Sequence, residues 1–124
     1  MLGRRCNQPA KGYLFAPGGR ITKNERVAEA FKRIVRSELG VEAEIRDAPF
    51  LGYYEHFYNE NFYERPGFGT HYVVLAFALA LPEPAALDRL PHAQHTEYKW
   101  MTVEDLLASP QVHEHTKAYF RSEA

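Results

Sequence analysis

The chain has 124 residues, 45% of them hydrophobic and 25% charged, which fits one globular domain and excludes a disordered, fibrous or collagen-like chain. The formal net charge of -1 at pH 7 argues against a general nucleic-acid binder. The single cysteine, Cys6, excludes an internal disulfide and favours a reducing compartment, and no uninterrupted apolar run reaches the roughly 18 residues of a membrane span. We therefore expect one cytoplasmic domain over residues 1–124 that binds neither nucleic acid nor membrane.

The amino-terminal part predicts a short strand, a glycine-rich turn and a helix. Residues 12–16 read GYLFA and are followed by Pro17-Gly18-Gly19, where the backbone can take dihedral angles closed to other residues. Residues 25–39 predict a helix, because apolar side chains recur there at helical spacing and Gly40 stands where a helix often ends. These apolar residues are Val27, Phe31, Ile34, Val35 and Leu39.

Strand patterns dominate the middle of the chain. Residues 43–48 predict a weak strand, and residues 50–58 (FLGYYEHFY) have the aromatic content of a strand or hairpin arm. Residues 59–69 are rich in turn formers and predict a loop. Residues 70–81 (THYVVLAFALAL) are the most apolar stretch and predict a central strand buried on both faces, although their length also allows a buried helix.

The remaining residues predict a long loop, a strand and two helices. Residues 82–95 contain three prolines and predict a loop long enough to carry function. Residues 97–101 predict a short strand, Thr102 can cap a helix with Asp105 as its partner, and Ser109-Pro110 can begin the last helix. The order of elements indicates a mixed α/β or α+β domain.

Glu38 is the residue of the predicted helix that points to chemistry. It falls inside the apolar stripe, and a carboxylate facing a core must be solvated, paired or bound to a metal. From geometry alone, the simpler interpretation is that Glu38 lies at the edge of the core and pairs with a lysine or arginine.

The residues around Glu38 resemble the Nudix box, G-x5-E-x7-R-E-U-x-E-E-x-G-U with U an aliphatic residue. The two departures are Ile34 and Ser37, at positions where the family usually has glutamates that hold divalent cations. The matching positions are Gly19, Glu25, Arg33, Val35, Glu38, Gly40 and Val41.

The GDP-mannose mannosyl hydrolases are a Nudix subfamily that resembles this chain in lacking both glutamates. The similarity runs from RRCNQPAKGYLFAPGGRI through YEHFYNENFY, THYVVL and QHTEYKWMT to VHEHTKAYF. It implies an α/β Nudix fold with a mixed β-sheet sandwiched between helices. It also implies a homodimer that hydrolyses a small-molecule GDP-sugar to GDP and the free sugar, with Mg²⁺, by attack of water at the anomeric carbon.

The resemblance assigns a role to individual residues. The metal ligands would be the Gly18 carbonyl, the Glu38 carboxylate and the Gln94 side chain, which are the oxygen ligands that Mg²⁺ prefers. His95 would be the general base, since an imidazole is largely neutral yet basic near pH 7. The substrate would be contacted by Arg5, Arg20, Arg33, His56 and Tyr72.

Some of these residues have plainer interpretations. Gln94 could be a solvated loop amide, Arg33 could pair with Glu29 on the helix surface, and Tyr72 could be a core tyrosine. His56 could be structural.

The subfamily carries one more strand before the point that corresponds to Met1, so we expect a domain truncated at its amino terminus. Two other functions stay open at this point: a Nudix pyrophosphohydrolase of another nucleoside diphosphate derivative, and an inactive nucleotide-binding module.

Overall fold

The computed structural model describes residues 1–81 and 95–121. Its strands are β1 (Leu2–Arg5), β2 (Leu14–Phe15), β3 (Phe50–Tyr58), β4 (Thr70–Phe77) and β5 (His95–Lys99). Its α-helices are α1 (Val27–Leu39), α2 (Val103–Ala108) and α3 (Glu114–Ala118), and a single 3₁₀ turn covers Ile45–Asp47. None of the helices within these two ranges is long and apolar enough to cross a membrane.

The strands form two antiparallel sheets. In the first sheet β1 lies between β2 and β5, and in the second β3 pairs with β4 along its whole length. A parallel bridge between Leu14 and Val112 joins β2 to the segment before α3. Leu2, Leu14, Leu106 and Val112 form the buried core between β1, β2 and α2, while the rings of Phe31 and Phe77, 5.4 Å apart, join α1 to the hairpin.

Helix α1 confirms the helix that was predicted from the spacing of its apolar residues. It begins at Val27, two residues later than predicted, and Gly40 ends it in the left-handed conformation, with φ at 68° and its N–H bonded to the Arg36 carbonyl. Such a conformation favours glycine because a Cβ would be strained there. Thr102 caps α2 as predicted, accepting a hydrogen bond from the Asp105 N–H at 3.1 Å.

Two predicted strands differ from the structure. Residues 43–48 form no strand, because a 3₁₀ turn covers Ile45–Asp47. In this turn the Asp47 N–H donates a hydrogen bond to the Glu44 carbonyl instead of to a neighbouring strand. Strand β4 ends at Phe77 and, within the described residues, pairs with β3 alone, so it is not central. Its Val73 is 65% exposed. Because β4 carries apolar residues on both faces of the hairpin, its sequence does not show the alternation of polar and apolar residues that would mark one face as exposed.

The segment before α3 also differs from prediction. The last helix begins at Glu114 instead of Ser109-Pro110, because Leu14 exchanges backbone hydrogen bonds with Gln111 and His113 and holds that segment extended. Strand β5 covers His95–Lys99 rather than residues 97–101. Of the loop predicted over residues 82–95, residues 82–94 lie outside the described part of the chain, and His95 belongs to β5.

Thr116 connects α3 to the turn that follows β2. It is fully buried, and its hydroxyl accepts a hydrogen bond from the Ala16 N–H at 3.2 Å. This bond fixes the chain just before Pro17-Gly18-Gly19.

We expect Thr116→Val to lower the free energy of unfolding by about 1–3 kcal/mol, because valine keeps the shape of the side chain but leaves the Ala16 N–H without its acceptor. Urea unfolding of the two proteins measures the difference. Thr96→Val, at an exposed position of β5, is the matched control and should change stability by less than about 0.5 kcal/mol. Equal losses in the two variants would contradict this role for the hydroxyl.

Candidate active site

Glu38 lies near the carboxyl end of α1 with its carboxylate turned inward. The residue is 7% exposed. Burial raises the pKa of this carboxyl above its usual value, and the positive charge of Arg5 opposes that rise. A carboxylate that is buried but still charged needs a compensating partner. The position of Glu38 therefore suits a carboxylate that binds a cation or an ionised side chain.

His95 is the residue that faces Glu38. It begins β5, it is 2% exposed, and its Nδ1 lies 3.6 Å from a carboxylate oxygen of Glu38. Its ring also lies 5.4 Å from that of Tyr98. Because one partner is on the helix and the other on the sheet, this contact brings an acid and a base together at the junction of two layers.

Arg5 brings positive charge to the same junction. It ends β1, where it is paired with His95 across the ladder. Its Nε donates a hydrogen bond to the Pro9 carbonyl at 2.8 Å, so the guanidinium is anchored on one side. The structure therefore brings three of the predicted site residues, Arg5, Glu38 and His95, together.

The turn at Gly18-Gly19 lies against the same helix. An added Cβ at Gly19 would stand 3.0 Å from Cγ1 of Ile34, one helical turn before Glu38. Gly18, which precedes this contact, is exposed, so its carbonyl stays a predicted metal ligand, and the predicted ligand Gln94 lies outside the described residues.

Glu38 fits a cation that takes few ligands from the protein. In residues 1–81 and 95–121, no group of three or more His, Cys, Asp or Glu side chains is arranged to hold a metal ion. A closed protein cage is therefore absent from the part described. The buried Glu38 carboxylate suits Mg²⁺, which often binds through one or two carboxylates together with substrate phosphates and water.

A second ion pair holds the loop before α1. The Arg33 guanidinium donates to both carboxylate oxygens of Glu25 at 2.8 Å and to the Arg20 carbonyl at 2.7 Å. Hydrogen bonding to Arg33, helped by hydrogen bonds from Thr22, lowers the pKa of Glu25 to about 2. Arg33 thus ties the loop to the helix through Glu25, not through Glu29, and leaves the Arg20 side chain exposed.

One loop and α1 carry the pattern Gly19, Glu25, Arg33, Glu38 and Gly40, and Glu25 and Arg33 of this pattern form an ion pair. The family model described as "NUDIX domain" matches residues 1–122. The chain belongs to the Nudix family.

Two known proteins are similar to this chain. The chain is 39% identical over 100 residues to the low-salt glycan biosynthesis protein Agl8 of Haloferax volcanii, a match that covers 80% of this chain and 60% of Agl8. The chain thus spans less than two thirds of that relative's length. The crystal structure of MutT protein from Methanosarcina mazei Go1 has a TM-score of 0.71 at 20% identity, covering 96% of this chain and 78% of that one; it shows the Nudix fold.

His56 and Tyr72 lie on the inner face of the β3–β4 hairpin, opposite each other across the ladder. His56 is buried, its Nε2 is 3.2 Å from the Tyr119 hydroxyl, and its ring stacks on that of His115 at 4.4 Å. Burial, helped by the neighbouring imidazoles, lowers the pKa of His56 to about 4. His56 therefore joins the hairpin to α3 as a neutral ring; contact with substrate remains a prediction for both residues.

His115 and Tyr119 were not predicted as partners of His56. In the sequence, His113 and His115 have no cysteine partners at the spacing of a zinc site and show no other sign of a contact with His56. In the structure, the backbone N–H of His115 donates a hydrogen bond to Nδ1 of His113, and Nε2 of His115 lies 3.1 Å from the Phe57 carbonyl oxygen. No periodicity in the sequence signals such a stack.

The Glu25–Arg33 pair predicts a specific dependence of stability on pH. Because the pKa of Glu25 is lowered by folding, its stabilising effect is complete above the ordinary value near 4.3 and is lost as pH falls toward about 2. Wild type should therefore exceed Glu25→Gln in thermal stability at pH 7, and the difference should shrink below about pH 4 and be mostly lost by about pH 2. The matched control is Glu29→Gln on the first turn of α1, close to Glu25 in the sequence. A constant difference for Glu25→Gln across pH 2–7 would contradict the assignment.

Proposed function

We propose that this Nudix protein hydrolyses GDP-mannose, or a related GDP-sugar, to GDP and the free sugar by attack of water at the anomeric carbon, with Mg²⁺. The observation that carries the proposal is the buried contact between Glu38 and His95, 3.6 Å apart. It combines a carboxylate suited to a cation with an imidazole suited to accept a proton.

The Nudix helix supports a reaction with few carboxylates. Ile34 occupies one usual glutamate position and packs beside Gly19, and Ser37 occupies the other and is exposed. Attack at phosphorus in the family relies on these glutamates, as the resemblance implies. Their absence favours a site in which one cation stabilises the leaving group and a separate base activates the water.

His95 would accept a proton from the attacking water. As the oxygen of that water bonds to the anomeric carbon, the bond from this carbon to the diphosphate oxygen breaks, and GDP leaves with the bonding electron pair. The proton then resides on the imidazole. Arg5 and Arg20 would offset the charge of the diphosphate through hydrogen bonds from their guanidinium groups.

The chemistry that a bound Mg²⁺ supplies is neutralisation of the negative charge that grows on the leaving diphosphate. Glu38, Gly18 and Gln94 would hold it. The name of the Haloferax relative, which refers to glycan biosynthesis, supports a substrate that contains a sugar. The single cysteine favours a cytoplasmic location for the reaction.

A second candidate is a pyrophosphohydrolase that acts on another nucleoside diphosphate derivative. The intact ion pair between Arg33 and Glu25 favours it, because this part of the Nudix site is complete. The two candidates differ in the atom that water attacks.

Hydrolysis of GDP-mannose in ¹⁸O-labelled water tests the proposal. The label should appear in mannose and not in GDP, and His95→Ala should lower kcat by about 10²–10⁴-fold, as expected for loss of a general base. His71→Ala, on the exposed face of the hairpin, is the control and should retain activity. Label in the phosphate would favour the pyrophosphohydrolase, whereas no turnover of any GDP-sugar would favour a nucleotide-binding module.

A further inference from the structure

The ladder between β1 and β5 contains a bulge. Leu2 pairs with Lys99 and Gly3 with Tyr98, but the next pair joins Arg5 to His95. From Gly3 to Arg5 the chain advances two residues, while from Tyr98 to His95 it advances three. The extra residue therefore lies in β5, as in a β-bulge, which commonly turns a side chain beside an active site.

The bulge decides which way His95 points. In a regular strand, side chains three residues apart point to opposite faces, so His95 and Tyr98 would be separated by the sheet. Here both are buried and their rings are 5.4 Å apart, whereas Thr96 and Glu97 between them are both exposed. The bulge thus turns the imidazole inward, toward Glu38.

Gly3 completes the arrangement on the opposite strand. A Cβ added at Gly3 would lie 2.7 Å from both Cγ and Cδ2 of His95 and 3.2 Å from its Cβ. Cγ is the root of the ring, so a χ rotation that keeps the imidazole in place cannot relieve this overlap. The backbone of Gly3 is outside the left-handed region, so the ring, and not the dihedral angles, requires glycine.

We propose that Gly3 and the bulge in β5 together position His95, with Gly3 as a positioning residue whose missing side chain lets the imidazole stand beside Glu38. The expected loss of activity rests on the proposed function, whereas the steric contact between residue 3 and the ring rests on the packing alone. Gly3 touches no substrate; it acts through the ring of His95.

Gly3→Ala should lower kcat for GDP-mannose by about 100-fold, because small displacements of a catalytic group can cost that much, while KM stays within about threefold of wild type. A kcat equal to that of wild type would overturn the proposal. So would a fall in kcat accompanied by an equal rise in KM, which would indicate general loss of the site.

A double-mutant cycle on thermal stability tests the contact without using activity. Gly3→Ala should lower Tm by several degrees in the wild-type background. In the His95→Ala background the loss of Tm should be much smaller, because only the Cβ of residue 95, at 3.2 Å, still crowds the new methyl group and alanine restricts the unfolded chain more than glycine does. Gly19→Ala, whose methyl group would meet Ile34, is the matched control and should shift Tm equally in both backgrounds.

Equal losses of Tm for Gly3→Ala in the two backgrounds would overturn the proposal. A wild-type chain that fails to hydrolyse GDP-mannose would instead contradict the proposed function, and the cycle would still decide whether Gly3 positions His95. Loss of activity in His95→Ala together with full activity in Gly3→Ala would retain the function and reject the positioning.

Discussion

The burial of one carboxylate, Glu38, is the constraint on which the rest of this site depends. A buried anion must meet positive charge or a proton, and the fold directs His95 and Arg5 from the first sheet toward it. Neither of these comes from α1. The site therefore exists only where the helix and the sheet meet, and stability and chemistry depend on the same packing.

Much of the fold could be predicted because it follows local rules. The apolar spacing of α1, the left-handed Gly40 and the Thr102 cap are each determined by a few neighbouring residues. The failures have two causes. In residues 43–48 a local 3₁₀ turn replaces the weak strand, whereas α3 begins late because Leu14, far away in sequence, holds Gln111 and His113 extended.

The candidate site was partly accessible from the sequence. Glu38 violated the apolar stripe of its own helix, which any helical projection reveals, and the resemblance to a Nudix subfamily assigned His95. That these two lie 3.6 Å apart could not be predicted, because the contact depends on a bulge in β5 and on the absence of a side chain at Gly3. A bulge has no periodic signature, and a strand glycine usually indicates only local weakness.

Calorimetric titration with GDP, with and without Mg²⁺, tests most directly whether Glu38 is the carboxylate that links a divalent cation to the diphosphate. Wild type should bind GDP more tightly with Mg²⁺ than with EDTA. Glu38→Gln, which keeps the shape but removes the charge, should bind GDP with the same affinity in both conditions, while the exposed Glu29→Gln behaves as wild type. A Glu38→Gln protein that retains the full Mg²⁺ dependence would contradict this account of the site.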